Sequence, residues 1–407
     1  MDKYDVIIIG AGFTGLIIND ILRNTGKRVL VLEKDSQPGG LLKTINFSNQ
    51  ELELGPHFFF YDCNNNIIAD YLTKRFDLIP IPYLKARAYY NKDKTDSVTW
   101  PLCHSELEMI EKSLESNLTN YKGLDSAGFE NIIIKLVGHK YYQVFFQNYT
   151  KAFWGVEPKD ISTEWAPKKI RITQVEENFF KPNENVLIPQ SGYKNIIDTL
   201  LDRCDVKNER VISVTDNIVR TKKRREYRGE HIISTVSPDS LLQTENQLKN
   251  RALILIYFQT QENLWDDDNV GFVYISNPKP FTRITNLSYI WKRTDKNYPN
   301  NFYCVEWPTE ISSEVVYDKT AQRDILVDHL NSFWNINKII NFKPVLVEDA
   351  YPLPTFENLQ VAEHLKNELK KTNTNIHFAG RFGKYQFSWM RDSIQDAFEI
   401  YTKIIES

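Results

Sequence analysis

An apolar strand that breaks on a cluster of glycines constrains this chain more than any other feature. Tyr4-Asp5-Val6-Ile7-Ile8-Ile9 runs directly into Gly10-Ala11-Gly12-Phe13-Thr14-Gly15. A helical pattern follows from about Gly15 to Asn24, Gly26 stops it, and Arg28-Val29-Leu30-Val31-Leu32 begins a second strand. Strand, glycine-rich turn, helix and strand in this order make a short βαβ unit. Glu33 closes the second strand, 21 residues after Gly12. Each glycine has a separate task in such a unit. Gly10 permits the tight turn, Gly12 lets the backbone approach a diphosphate, and Gly15 lets helix and strand pack closely. The unpaired N–H groups of the helix start, beside Phe13 and Thr14, then meet the phosphates. Glu33, followed by Lys34, is placed to accept the ribose hydroxyls of an adenosine.

A second glycine pair decides which dinucleotide is expected. Gly39-Gly40, followed by Leu41, lies six residues past Glu33 and lets the backbone pass close to an extended cofactor. Simple nicotinamide dehydrogenases do not ordinarily need this, so FAD is expected rather than NAD. Near the far end, Phe378-Ala379-Gly380-Arg381 leaves a strand and precedes a helix running from about Met390 to Ile405. That is a second place for backbone to meet a dinucleotide, with Gly380 and Arg381 at the pyrophosphate. The positive end of the helix, at Met390, would point toward the flavin.

The rest of the chain is compatible with a large soluble enzyme. Its 407 residues allow two or three domains. A formal net charge of −3 gives no basic field for nucleic acid. Cys63, Cys103, Cys204 and Cys304 are widely spaced, which argues against a zinc site or a redox dithiol. Neither a signal peptide nor an apolar run of roughly 20 residues is evident, so a cytoplasmic location without a transmembrane segment is expected. Two charged runs are read as loops. Lys222-Lys223-Arg224-Arg225 suits a solvated hairpin tip, and Asp266-Asp267-Asp268 points its acids in different directions, so no metal site is expected.

Between the two dinucleotide-type ends, the pattern changes twice. His104–Leu118 and Gly128–Phe146 carry apolar residues at helical spacing. Short strands are expected at Arg210–Val214, Ile218–Arg220 and His231–Ile233, and further strands at Ala252–Phe258, Gly271–Ile275 and Phe302–Glu306. The expected fold is α/β: a Rossmann-type FAD-binding domain with an inserted helical domain and an antiparallel β-sheet domain. The expected divisions are 1–80, 187–245 and 345–407 for the FAD domain, 103–165 for the helices, and 81–102, 166–186 and 246–344 for the sheet.

Beyond the dinucleotide turn, six blocks resemble the UDP-galactopyranose mutase family and keep its order. They are Gly55-Pro56-His57-Phe58-Phe59, Trp100-Pro101-Leu102, the stretch from Leu136-Val137-Gly138-His139 to Tyr149-Thr150-Lys151-Ala152-Phe153-Trp154-Gly155, Ile188-Pro189-Gln190-Ser191-Gly192-Tyr193, Pro280-Phe281-Thr282-Arg283-Ile284, and Gly380-Arg381-Phe382-Gly383-Lys384-Tyr385. The sequence departs from the family where Phe60 replaces a histidine and Phe387 a tyrosine. No clear counterpart of a diphosphate-binding tyrosine occurs in Asn183–Leu187, and Ser234-Thr235-Val236-Ser237-Pro238 replaces a family segment.

The resemblance implies an isomerase that interconverts pyranose and furanose forms of a nucleotide-diphosphate sugar, for surface glycan synthesis. It implies that reduced flavin N5 attacks the anomeric carbon and forms a sugar adduct without net electron transfer, once NAD(P)H or another reductant has reduced the FAD. His57 is implied beside the flavin, and Arg171 and Arg283 at the diphosphate, which a planar guanidinium grips at two points. Trp154, Tyr149, Tyr193, Tyr385 and Phe387 complete the expected substrate contacts. A homodimer stays open. Two other readings also stay open: an FAD oxidoreductase of the amine-oxidase and protoporphyrinogen-oxidase type, and a flavin-binding protein without catalysis.

Overall fold

The computed structural model describes the chain except positions 63, 65, 91–96, 104–127, 164–171, 174–177, 181–182, 243–246, 266, 268, 277–279, 335, 337, 374 and 407. Arg171, the helix expected at His104–Leu118, and Asp266 and Asp268 lie outside the described residues. The chain divides into two compact units. One contains Met1–Pro80, Asn183–Asn250 and Tyr351–Ser407; the other contains Ile81–Pro182 and Arg251–Ala350.

The first unit is built on a seven-stranded sheet. Six of its strands lie in the order Val206–Asn208, Val29–Glu33, Asp2–Ile9, Glu226–Ser234, Ile218–Thr221, Val211–Thr215, and the seventh, Ile376–Phe378, pairs with Glu226–Ser234 off this path. The central strand, Asp2–Ile9, runs parallel to both neighbours. Val6, Ile7 and Ile8 are fully buried, so both faces of this strand are covered, which explains its unbroken apolar sequence. The strand Glu226–Ser234 uses one edge twice. Its beginning pairs antiparallel with Ile218–Thr221, and its end pairs parallel with Ile376–Phe378. The expected basic turn lies between the two strands of that antiparallel pair: Lys222 through Arg225 are exposed, and Arg224 takes φ +62°.

The helix after the first strand spans Phe13–Leu22, tightens into a 3-10 turn at Arg23–Thr25, and ends at Gly26 with φ +75°. The terminal helix, Met390–Ile405, packs against it. A further helix, Asn66–Arg75, is tied in by a buried carboxylate, because Asp20 accepts from Tyr71 Oη at 2.8 Å and from Arg75 Nε at 3.1 Å. A small antiparallel sheet joins Phe59–Asp62, Glu184–Pro189 and Leu78–Pro80.

The second unit carries another seven-stranded sheet, ordered Ile339–Pro352, Asn250–Thr260, Phe302–Thr309, Arg283–Asn286, Val270–Ile275, Lys85–Tyr89, Ser97–Trp100. The registered pairs are antiparallel except that Val270–Ile275 and Lys85–Tyr89 run parallel. Register sorts its side chains into two faces, since neighbours along a strand point to opposite sides. Ile256, Val273, Ile284 and Val305 lie abreast and join the core under the helix Lys319–Phe333, through Leu326, Leu330 and Phe333. The opposite face therefore presents Tyr274, Arg283, Thr285 and Glu306.

The expected helix at 128–146 is interrupted. Phe129–Tyr141 breaks at Gly138, where φ is +81° and ψ is 160°, then passes through a π-helical turn, Tyr142–Gln147, into Asn148–Trp154. Gly155 stops the last segment with φ +73°. Arg251 closes it, donating from Nε to Phe153 O at 2.9 Å and from Nη2 to Ala152 O at 3.0 Å.

Candidate functional site

The glycine turns of the first unit form one backbone cradle. Gly39 N–H donates to Ala11 O at 2.8 Å, and Gly12 and Gly39 make an isolated parallel bridge. Gly10 has φ +100°, and a Cβ there would lie 2.3 Å from Thr235 Oγ1; at Gly15 a Cβ would lie 2.0 Å from Gly10 O. Those two glycines are required by the protein's own packing. Gly12 is different, because the nearest atom to a Cβ there is Gly40 Cα at 3.8 Å. The room beside Gly12 fits close approach of a ligand to its backbone.

Glu33 is buried and aimed at the turn, accepting from Ala11 N at 2.7 Å and from Asp35 N at 2.9 Å. Asn208 Nδ2 donates to the carbonyls of Lys34, at 3.3 Å, and Asp35, at 2.6 Å, which fixes the loop after the acid. Lys34 itself is exposed. Lys43 pairs with Asp35 and holds its carboxyl below the ordinary value. Leu41 sits in the 3-10 turn Gly40–Leu42, and Phe13 packs 5.9 Å from Phe59. Paired glycine turns, a buried acid at the second strand end and a helix start make a donor set suited to a dinucleotide.

The C-terminal block reaches the same turn. Gly380, at φ +70°, packs against Thr14, where an added Cβ would lie 2.5 Å from Thr14 Oγ1. Thr14 Oγ1 in turn hydrogen-bonds Ser393 Oγ at 2.9 Å, three residues past Met390. Arg381 Nη2 donates to Ser388 O at 3.0 Å, and its guanidinium stacks 4.8 Å from the Tyr351 ring centre. Burial lowers the pKa of Arg381.

His57 and Tyr193 come together although 136 residues separate them. Tyr193 Oη donates to His57 O at 2.5 Å, and the two rings meet edge to face at 6.0 Å. Burial, with the nearby Glu53 charge, pushes the Tyr193 phenol well above its usual range. His57 Nδ1 lies 2.7 Å from Gly55 O. A carbonyl only accepts, so Nδ1 carries the proton and Nε2 is the variable position.

Two of the departures from the family pattern meet at one ring. Phe60 lies 6.3 Å and Phe387 6.4 Å from Trp389, and Phe387 stacks on Tyr351 at 6.0 Å. Tyr385, expected at the substrate, is 1% exposed and serves the interior: its hydroxyl donates to Lys249 O at 2.6 Å and accepts from Asn358 Nδ2 at 2.7 Å.

In the second unit, residues distant in sequence meet around Tyr274. Tyr149 lies 6.2 Å from the Tyr274 ring, Trp100 5.8 Å and Phe179 6.4 Å. Arg283 sits beside the Tyr274 phenol, which burial raises and the guanidinium opposes. Glu306, opposite Arg283 in the sheet and 4% exposed, accepts from Arg283 Nε at 3.0 Å and again from its Nη2. Trp154 is fully buried against Phe153 at 4.9 Å. Tyr274 and Glu306 escape a motif search because only strand register puts them beside Arg283. Tyr351 and Trp389 are likewise unmarked by any motif.

Asp267 pairs with Lys85 at 3.2 Å, and among the described residues no group of three His, Cys, Asp or Glu is placed to hold a metal. Among the same residues no helix is long and apolar enough to cross a membrane.

Comparison with known proteins agrees with this arrangement. Residues 8–74 match the model of the NAD(P)-binding Rossmann-like domain, and residues 144–322 match that of UDP-galactopyranose mutase. The chain is 26% identical to the dTDP-fucopyranose mutase of Escherichia coli, covering 97% of this chain and 96% of that protein. It is 23% identical to the UDP-galactopyranose mutase of Mycoplasma genitalium, covering 97% and 93%. A crystal structure of reduced UDP-galactopyranose mutase superposes with a TM-score of 0.78 over 99% of this chain and 96% of that one, at 17% identity, and so shares the fold. The matched central segment and the two relatives aligned over nearly their whole length lead to one conclusion: the chain is similar to UDP-galactopyranose mutase and to a related nucleotide-sugar mutase.

Proposed function

We propose that this protein is an FAD-dependent mutase that interconverts the pyranose and furanose forms of a nucleotide-diphosphate sugar, used in surface glycan synthesis. The observation that carries the reading is the meeting of Tyr149 and Arg283 around Tyr274, because all three belong to the segment that matches the mutase model. Bound and reduced, the flavin supplies a nucleophilic N5 for the anomeric carbon and leaves the reaction with its electrons unchanged.

The chain's own residues supply holding and orientation. Glu33 takes the adenosine ribose, and the turns Gly10–Gly15 and Gly39–Gly40 take the pyrophosphate, with Arg381 alongside. His57, held by Gly55 and Tyr193, would stand beside the flavin ring. Arg283 receives the leaving diphosphate and, held by Glu306, keeps its fork in one orientation while the sugar ring opens and recloses. Arg171 is assigned the second diphosphate contact, and Tyr149 a ring contact to the substrate. Trp154, Tyr193 and Tyr385 support these groups from the interior. Phe387 lines the aromatic cluster at Trp389.

The test is an anaerobic assay of purified protein reduced with dithionite. The relatives named above direct the screen to UDP-galactopyranose and dTDP-fucopyranose. The expected result is an isomer of unchanged mass, formed only when the flavin is reduced. An oxidised product with O2 consumption would replace this reading with the oxidoreductase. A colourless protein that takes up no FAD would remove both.

A further inference from the structure

The glycine turns of the first unit come from distant parts of the chain, and one buried carboxylate is bonded to the second. Asp396, 5% exposed on the terminal helix, accepts from Gly380 N at 2.8 Å and ion-pairs with Lys384. Both bonds reach back into the Gly380–Gly383 turn and the residue that caps it. The turn is seated by close packing: Gly380 on Thr14, and Gly383 on the Ser234 carbonyl, which a Cβ at 383 would approach to 2.3 Å. Ala379 N adds a bond to Ser234 O at 3.0 Å. Thr14, on the N-terminal turn, is held from the same helix by Ser393.

We propose that Asp396 is a positioning residue of the dinucleotide site, holding the Gly380–Gly383 turn against the Gly10–Gly15 turn so that both ends of the chain grip the cofactor as one body. The inference rests on the FAD reading above. A carboxylate at this depth is costly, and an apolar residue would pack there at no such cost. Its bonds instead fix the Gly380 amide and, through the adjoining residue, the direction of Arg381. Without Asp396, the amide loses its acceptor and Lys384 keeps only the longer ion pair with Glu399, at 4.0 Å, as a tie between the turn's cap and the terminal helix. Burial raises the Asp396 carboxyl pKa, while Lys384 and the Gly380 N–H oppose the shift.

The test uses the full chain stripped of flavin and titrated with FAD and, separately, with AMP, which probes the adenosine end alone. Asp396→Ala is expected to weaken FAD binding by about tenfold or more while AMP binding stays within about twofold of wild type. Lys384→Gln should lose less, because Gly380 keeps its partner. Unchanged FAD affinity in Asp396→Ala overturns the inference, and so does an equal loss for FAD and AMP, which marks general loosening. Should Asp396→Ala fail to fold, Asp396→Asn decides the matter. It keeps an acceptor for Gly380 but sets an amide against Lys384, so a severalfold loss specific to FAD is expected and no loss overturns the inference. A wild-type protein without affinity for FAD would sink the functional reading together with this one, whereas the variant results bear on the inference alone.

Discussion

At the residue scale, the glycine turn separates binding from folding. A methyl on Gly15 has no space, because the Gly10 carbonyl stands 2.0 Å from its position. A methyl on Gly12 meets nothing nearer than 3.8 Å, and φ there is −74°, which any residue adopts. Gly12→Ala is therefore expected to fold normally and lose FAD affinity by about tenfold or more, whereas Gly15→Ala should be destabilised in denaturant with or without flavin. Equal behaviour of the two would contradict the assigned roles. The Arg283–Glu306 pair gives a second prediction. Breaking a buried ion pair from one side costs about 3–5 kcal/mol, while replacing both partners with neutral groups is often close to neutral. Glu306→Ala should lower stability to chemical denaturation by this order, and adding Arg283→Met should recover part of it. Independent, additive losses would show that the pair is not coupled.

At the element scale, two histidines register the join between the strands Glu226–Ser234 and Ile376–Phe378. His231 and His377 stack at 5.6 Å, with Nδ1 of one 3.4 Å from Nε2 of the other. Burial, then the neighbouring His231 and Lys403, holds His377 at about 4 against an ordinary 6.5. His231 is also lowered, by burial and Lys27, against the pull of Glu230. Between pH 4 and 6.5 the unfolded chain binds a proton that the fold refuses. The stability is therefore complete above about pH 6.5 and falls as the pH drops toward 4, by at most about 3 kcal/mol for His377. Denaturation midpoints across this range should show the slope, and His377→Phe should flatten it. The helix Asn148–Trp154 shows another element-scale device. Gly155 leaves it with φ +73° while Arg251 takes two of its last carbonyls, so the register of Tyr149 is fixed from the far end of its own helix.

At the scale of the whole molecule, the first unit is assembled from three stretches of chain, with the second unit made from the two between them. The proposed cofactor site draws on residues 10–40 and 380–393, so the ligand would bridge chain ends. A ligand at one hundred times its Kd adds about 2.7 kcal/mol to the folded state. Added FAD should raise the melting temperature of flavin-free protein and protect both chain ends from protease together. Protection confined to the N-terminal stretch would show that the C-terminal turn takes no part.

Much of this was legible in one dimension because it depends on neighbours in sequence. The strand Asp2–Ile9, the turn Gly10–Gly15, the stop at Gly26 and the helix Met390–Ile405 follow from local sterics and periodicity, which a linear reading contains. The break at Gly138 within a good helical pattern did not, since an isolated glycine in such a run is ordinarily carried through the helix. Which arginines and aromatics share a surface was equally hidden. Strand register set Glu306 opposite Arg283 and brought Tyr274 beside Arg283 on its other side, and the packing of the terminal helix placed Asp396 against Gly380. Sequence alone thus determined the dinucleotide turn and the broad α/β class, because these are short-range properties of the backbone. Tertiary pairing decided which side chains act together, because those partners are brought close only when distant strands and helices take their final register.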